Sequence, residues 1–240
     1  MALQLDGTME LTSTPPVTSY PFTMSAWCYA DGPSTGYYGT VMGISAGGTN
    51  EYWRIWRDVG NLRWSVSTVA SGQVIITTTA AAVDAWHHVV FVETSNVSRV
   101  SYLNGTAGTP NTTDRAPASV DTLGVGNRGL VNQWTGRLAE VSVWDAALSA
   151  PEVAALAKGY SPAMIRPGSL VFYDDLIRNF LIDRTGNVTD LAWNDTAGAV
   201  GVHPRIIYPS RRKIFVPAAA AASAVFPPLM GKIIRAAPAY

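Results

Sequence analysis

The chain is poor in the residues that crosslink, coordinate or titrate near neutrality. Of its 240 residues one is cysteine, three are histidine and only 14% are charged, with 17 Lys and Arg against 17 Asp and Glu. A lone thiol, Cys28, closes no internal bridge, so a disulfide-stapled scaffold is excluded. A net charge of zero provides no general positive field, so nucleic acid is not an expected partner. Low charge together with 48% hydrophobic residues and eight Trp excludes a disordered chain. At about 100–200 residues per domain, the length bounds the chain at one or two domains. The opening stretch, Met1 to Gly7, has no basic start, apolar run or small-residue cleavage site, so no signal peptide is expected in it. Asn-X-Ser/Thr triplets at Asn96, Asn104, Asn111, Asn187 and Asn194 read as chance in a Ser/Thr-rich chain.

The neutral total hides an asymmetry. Residues 1–160 hold 8 basic and 12 acidic side chains, whereas residues 161–240 hold 9 and 5, and no acid follows Asp195. Seven of the eight Trp lie before residue 161, close to where Gly159 and Pro162 break the pattern. A boundary is therefore expected there, with one domain over 1–159 and a C-terminal extension over 160–240.

The first part reads as β. Phe22 to Ala30 alternates with the period of two that a half-buried strand requires. Trp53-Arg-Ile55-Trp-Arg57 and Leu62-Arg-Trp64-Ser-Val66 flank the turn cluster Asp58-Val-Gly60-Asn61, a hairpin pattern. Trp86 to Glu93 and Arg99 to Leu103 are further strands, and Asn104-Gly105 supplies the positive φ angles of a type I′ turn. On another strand Ala139, Val141 and Val143 are expected to face inward. Many short strands at this spacing predict a sandwich or barrel. One helix is expected over 150–158: Ser149-Ala-Pro151-Glu152 is a capping box with Pro in the first turn, Val153, Leu156 and Ala157 make one apolar face, and Gly159 is the C-cap.

Five segments then occur in a telling order: Leu3-Gln-Leu5-Asp6-Gly7, Phe22 to Trp27, Trp86-His87-His88-Val89-Val90, Tyr102-Leu103-Asn104-Gly105, and Gly136 to Val153. In order and spacing they resemble a laminin-G-like domain over roughly residues 1–159. The resemblance implies an all-β, two-sheet antiparallel jelly-roll sandwich of the concanavalin A-like lectin/glucanase superfamily, with one short helix and an irregular C-terminal extension.

Glucanases of that superfamily place their acids on one strand as Glu-X-Asp-X-(X)-Glu, so that alternate carboxylates share a face. Here no two of the seventeen acids are two positions apart, and the glycosidase chemistry does not carry over. Glu140 and Asp145 read as a satisfied structural carboxylate and a turn former. Adjacent residues His87 and His88 point to opposite faces of a strand, one expected inside and one at the surface, and share no metal. Cys28 alternates with core positions and reads as an inert buried thiol. Gly124-Val-Gly126-Asn127 reads as a turn beside a strand rather than a phosphate loop. Some relatives bind calcium at the sandwich rim, but Asp6-Gly7 is followed here by Thr8-Met9-Glu10 rather than by more Asp. Asp58, Asn61, Asp121 and Asn127 read as turn formers, so no cofactor is assigned, calcium included.

Sugar recognition needs exposed aromatic faces, and Tyr37, Tyr38, Tyr52, Trp53, Trp56 and Trp134 fall in or beside expected loops. Of these, Tyr37, Tyr38 and Trp134 are the expected glycan platform, although large aromatics also close the ends of sandwiches.

In the extension, 169–173 reads as a strand, 174–181 as a short helical turn, and 183–186 and 195–198 as turns. Ile214 to Gly231 is uncharged but broken by Pro217, Pro227 and Pro228, which argues against a membrane span and for an arm lying on protein. Ser161 to Pro167, Leu170 to Tyr173 and His203 to Pro209 resemble the extension that follows laminin-G-like domains in tailed-phage virion proteins. The resemblance implies a non-enzymatic virion component, made in the host cytoplasm without a signal peptide, whose partners are other virion proteins, further copies of itself and host glycans; a carbohydrate-binding lectin or adhesin outside any virion is the alternative reading, and a glycosidase whose acids converge from different strands is a third. Arg205, Tyr208, Arg211, Arg212, Lys213, Phe215 and Phe226 are the expected docking residues.

Overall fold

The computed structural model describes residues 2–8, 11–31, 39–46, 51–58, 63–70, 72–80, 82–127, 133–177, 181–193 and 199–209. The early strands are β1 (Ala2–Asp6), β2 (Leu11–Ser13), β3 (Phe22–Ala30), β4 (Gly39–Ser45), β5 (Tyr52–Asp58), β6 (Arg63–Ala70) and β7 (Gly72–Ala80). There follow β8 (Trp86–Ser95), β9 (Ser98–Leu103), β10 (Thr106–Ala107), β11 (Thr122–Val125) and β12 (Thr135–Trp144). Helix α1 (Ala150–Ala157) and two 3-10 turns lead to β13 (Leu170–Asp174), β14 (Ala192–Trp193) and β15 (Ala199–Gly201).

Every strand pairing is antiparallel. An eight-stranded sheet runs β10-β9-β8-β3-β12-β1-β15, with β13 also paired to β12; a seven-stranded sheet runs β14-β2-β11-β4-β5-β6-β7. The expected all-β sandwich with one short helix is therefore present. Alternation along each strand delivers its apolar positions between the sheets: Met24, Ala26 and Cys28 from β3, Trp53 and Ile55 from β5, and Val89 and Phe91 from β8. Phe22 joins the layers, its ring 4.9 Å from Trp53 and 5.6 Å from Phe91. Side chains of this size contribute about 1.5–3 kcal/mol each on burial.

A second core lies on the other face of the eight-stranded sheet. Val90, Val92 and Trp144 pack there against Val153 and Leu156 of α1. The helix starts as its sequence predicts: the Glu152 carboxylate accepts from both the backbone N–H and the hydroxyl of Ser149, each at 2.7 Å. The Asn104-Gly105 turn adopts φ 51° and 82° and packs on the helix, since a Cβ at Gly105 would lie 3.1 Å from that of Ala157.

Two inward-facing expectations need correction. In β12, Leu138 and Ala139 pair with Cys28 and Trp27, while Ser142 and Val143 pair with Ser25 and Met24, so Glu140 and Val141 together oppose Ala26. This β-bulge, with Glu140 at φ 56°, switches the alternation. Leu138, Val141 and Val143 enter the main core, and Ala139 turns to the outer face with Trp27. Nor is either histidine at the surface: His87 and His88 are 9% and 1% exposed. His88 sits beneath Trp27, 5.2 Å between rings, and His87 beside Trp64 at 6.1 Å.

The expected boundary after residue 159 is not where packing stops. β13, β14 and β15 pair with β12, β2 and β1, and the compact unit runs to Pro209. Gly159, at φ 88°, leaves room for the main-chain carbonyl of Arg205, and Ile207 N–H donates to the Gly159 carbonyl at 2.6 Å. The described residues of 160–209 are thus part of the sandwich rather than an appended arm. The strand expected at 169–173 is β13. The described part of 174–181 is not helical, because Asp174 and Asp175 instead accept from the backbone N–H groups two residues on, at 2.8 and 3.1 Å. The turn at 183–186 is tied by Asp183, whose carboxylate accepts from the N–H groups of Tyr173, Thr185, Asn187 and Val188. Its partner turn at 195–198 lies outside the described residues. Among the described residues no helix is long and apolar enough to cross a membrane.

Candidate functional site

Register on the seven-stranded sheet sorts the aromatics of β5. Trp53 and Ile55 face the core, so Tyr52, Arg54 and Trp56 share the outer face, two residues apart. Cross-strand pairing extends each into a row: Thr122, Ser45, Tyr52 and Val69; Gly124, Gly43, Arg54 and Ser67; Thr40, Trp56 and Ser65. The Arg54 guanidinium is held between two rings, 5.0 Å from the centroid of Tyr52 and 4.5 Å from that of Trp56, and its Nε donates to Ser67 Oγ at 3.1 Å. Side by side, Gly43 and Gly124 leave a trough next to it, into which the Asn127 amide reaches, since a Cβ on Gly124 would collide with Asn127 Oδ1.

Tyr52, Arg54 and Trp56 are buried, at 5%, 4% and 3% exposure. Yet Thr40 Oγ1, Ser45 Oγ, Ser65 Oγ and both polar atoms of the Asn127 amide have no hydrogen-bond partner among the described residues. Each such buried group costs about 1–3 kcal/mol until it is satisfied. Two rings, a guanidinium held between them and unsatisfied hydroxyl and amide groups make a buried polar and aromatic cluster suited to a polyhydroxylated ligand, whose hydroxyls both donate and accept. A ligand reaching these groups is itself largely desolvated, and the surroundings must yield to admit it.

The expected glycan platform fares differently. Trp134 belongs to the main core between the sheets, 5.4 Å from Trp64 and against Gly39, rather than to an outer sheet face, so it offers no stacking surface. Tyr37 and Tyr38 lie outside the described residues. Of the other loop aromatics considered, Trp53 is core, and Tyr52 and Trp56 form the row on β5. The signal for that row was the i, i+2, i+4 spacing of Tyr52, Arg54 and Trp56 within a strand.

The docking residues Arg211, Arg212, Lys213, Phe215 and Phe226 also lie outside the described residues. Arg205 is exposed and lends only its carbonyl to the contact at Gly159. Tyr208 is 42% exposed, but its hydroxyl is committed within the chain, donating to Glu140 Oε1 at 2.6 Å. A second hydroxyl, that of Tyr173, donates to Glu140 Oε2 at 2.7 Å, and His203 Nε2 lies 3.4 Å from Oε1. Glu140 is accordingly a satisfied structural carboxylate, as expected.

Among the described residues no acid stands in the β5 rows. The adjacent acids Asp174 and Asp175 diverge, Asp174 being fully buried, with burial pushing its carboxyl up to about 8, while Asp175 pairs with Arg184 at 2.9 Å. Cys28 is buried and desolvation raises its pKa well above the usual thiol range, which disfavours the thiolate. Among the described residues no three His, Cys, Asp or Glu side chains are placed to hold a metal ion.

The two-sheet architecture and the lattice of β5 define a lectin-like sandwich. Residues 4–154 match the sequence profile of the laminin-G-like branch described as the concanavalin A-like lectin/glucanases superfamily, and the chain belongs to that family. Among solved structures, a Bacteroides ovatus protein provisionally assigned to carbohydrate binding superposes with a TM-score of 0.60 at 16% identity, covering 81% of this chain. The chain spans 58% of that protein's length. Domain 4 of an extracellular arabinanase from Geobacillus stearothermophilus, solved with arabinotriose, gives 0.55 at 19% identity over 65% of this chain and 76% of that one. The CBM40 module of a Ruminococcus gnavus sialidase, bound to α2,3-sialyllactose, gives 0.54 at 12% identity over 65% and 96%. No curated protein sequence gives a significant match.

Proposed function

We propose that the chain is a non-enzymatic carbohydrate-binding module whose ligand seats on the outer face of the seven-stranded sheet. The observation that carries this reading is the Tyr52, Arg54 and Trp56 row, backed by buried hydroxyls of Thr40, Ser45 and Ser65 that lack partners among the described residues. Two structural neighbours, solved with arabinotriose and with sialyllactose, support it by showing that this fold elsewhere carries sugar. The test is a glycan array and calorimetry with the full chain, Trp56→Ala and Ser65→Ala. Binding in the micromolar to millimolar range is expected for the native chain, weakened at least tenfold by Trp56→Ala. Silence of the native chain across neutral and acidic glycans overturns the reading, as does unchanged binding by Trp56→Ala.

The finer reading is that the module is carried by a tailed-phage virion component, associated with capsid, tail or fibre and built as a homo-oligomer that contacts host glycans. Its support lies in the sequence after Pro209, where Arg211, Arg212 and Lys213 precede an uncharged 18-residue run ending before Lys232. Purified particles incubated with the full chain and with a chain ending at Pro209 test it. The full chain is expected to bind and the shortened one to remain free; equal behaviour of the two counts against it.

A further inference from the structure

At one end of its outer face the eight-stranded sheet packs against α1. At the other end, pairing lines up Trp86, Tyr29, Arg137 and Gln4 on four successive strands, with Trp27 in the next row opposite His88. Trp27, Tyr29 and Trp86 are half-buried rather than sealed. Their geometry is fixed: Trp86 meets Tyr29 edge-on at 5.6 Å and 66°, and the Arg137 guanidinium lies over the Tyr29 ring at 4.1 Å.

A polar frame borders these rings. Arg137 Nε donates to Gln4 Oε1 at 3.1 Å, Gln4 Nε2 donates to Asp31 Oδ2 at 2.5 Å, and Arg137 Nη2 approaches Asp31 Oδ1 at 3.4 Å. The stem of Arg137 uses the space left by Gly201 of β15, where a Cβ would come within 2.8 Å of its Cδ. Donors and acceptors are thus set beside aromatic surface before any ligand arrives, which lowers the ordering cost of binding.

We infer that Trp27, Trp86 and the Gln4–Asp31–Arg137 frame form a second saccharide site, on the opposite sheet from the first, and that it takes an uncharged sugar ring. A sugar presents a C–H face that stacks on indole and hydroxyls that match a carboxylate, an amide and a guanidinium together. Neutrality follows from the frame itself, because Asp31 already balances Arg137 and leaves no surplus positive charge for an acidic sugar. The site stands whether or not the β5 row binds.

The test is NMR of the full chain, with the indole N–H signals of Trp27 and Trp86 assigned by Trp27→Phe and Trp86→Phe. Lactose, cellotriose and arabinotriose serve as neutral probes and 3′-sialyllactose as the acidic one. At least one neutral probe is expected to shift both indole signals, to lose at least tenfold in affinity in Trp86→Ala, and to keep that affinity in Trp56→Ala. 3′-Sialyllactose is expected to bind there no more tightly than lactose. The inference is overturned if no sugar moves either indole, if Trp86→Phe and Trp86→Ala both leave binding unchanged, or if sialyllactose binds through Trp86 more than tenfold tighter than lactose. Loss of all binding in Trp56→Ala alone assigns the sugar to the first site and likewise overturns the second.

Discussion

Tyr208 donates its hydroxyl to Glu140 Oε1 at 2.6 Å, joining the last described segment to the bulge of β12. Glu140 holds a left-handed φ of 56° there, a conformation that surrounding contacts must enforce. Removing its carboxylate strands two tyrosine hydroxyls, so Glu140→Ala is expected to cost about 2–4 kcal/mol and Tyr208→Phe about 1 kcal/mol. A chain ending at Gly159 loses β13, β14 and β15 and is expected not to unfold cooperatively. Urea denaturation followed by circular dichroism checks all three.

Asp174 is buried at the end of β13 and burial holds its carboxyl near 8, above its ordinary 3.8. An acid whose folded pKa is raised binds its proton more tightly when folded, so its effect on stability worsens as pH climbs from about 4 towards 8. Asp174→Asn keeps an acceptor for the Leu176 N–H and removes the ionisation. The variant is expected to match the parent near pH 4 and to exceed it at pH 9 by on the order of 1–3 kcal/mol, read from urea midpoints at the two pH values. Equal differences at both pH values would sink this account.

His88 carries the opposite dependence. Its ring is enclosed, with Nε2 2.8 Å from Ser25 Oγ, and burial depresses its pKa to about 3. Between about 6.5 and 3 the unfolded chain takes up a proton here and the folded chain does not, so acidification draws the equilibrium towards unfolding by up to about 1.4 kcal/mol per pH unit. In His88→Asn the fall in stability between pH 7 and pH 5 is expected to flatten by nearly one proton. His87, also depressed by burial, retains its own share of the slope.

Arg99 is 2% exposed and anchors the 111–115 segment, donating to the carbonyls of Asn96, Thr113 and Arg115 at 2.5, 2.6 and 2.8 Å and to Glu93 Oε1 at 3.3 Å. Glu93 is fully buried, and desolvation pushes its carboxyl up despite the opposing hydrogen bond from Thr68 and the charge of Arg99. Arg99→Met alone leaves that carboxyl uncompensated and is expected to cost about 3–5 kcal/mol, whereas Arg99→Met with Glu93→Met recovers part of the loss. A double-mutant cycle in urea measures the coupling; additive effects of the two changes would contradict it.

Much of the sandwich was legible because it follows local periods. Phe22 to Ala30 alternates and is β3 from end to end, Asn104-Gly105 demands a type I′ turn and makes one, and Ser149 to Glu152 caps a helix where expected. The candidate site was legible only in part. Tyr52 and Trp56 stood out as aromatics, but their partners Thr40, Ser45 and Ser65 come from β4 and β6, and no local pattern states which strands lie side by side.

By itself the sequence determined the fold class, the helix cap, the inert Cys28 and the absence of a one-strand acid triad, since each depends on residues within a few positions of one another. Tertiary structure alone decided that Trp134 is core, that Ala139 turns outward after the bulge at Glu140, that both histidines are enclosed, and that residues 160–209 complete the sheets. The physical reason is the same in each case. Burial and register are properties of pairs of segments far apart in the chain, as Tyr208 and Glu140 are, and their free energy exists only once the two sheets have closed.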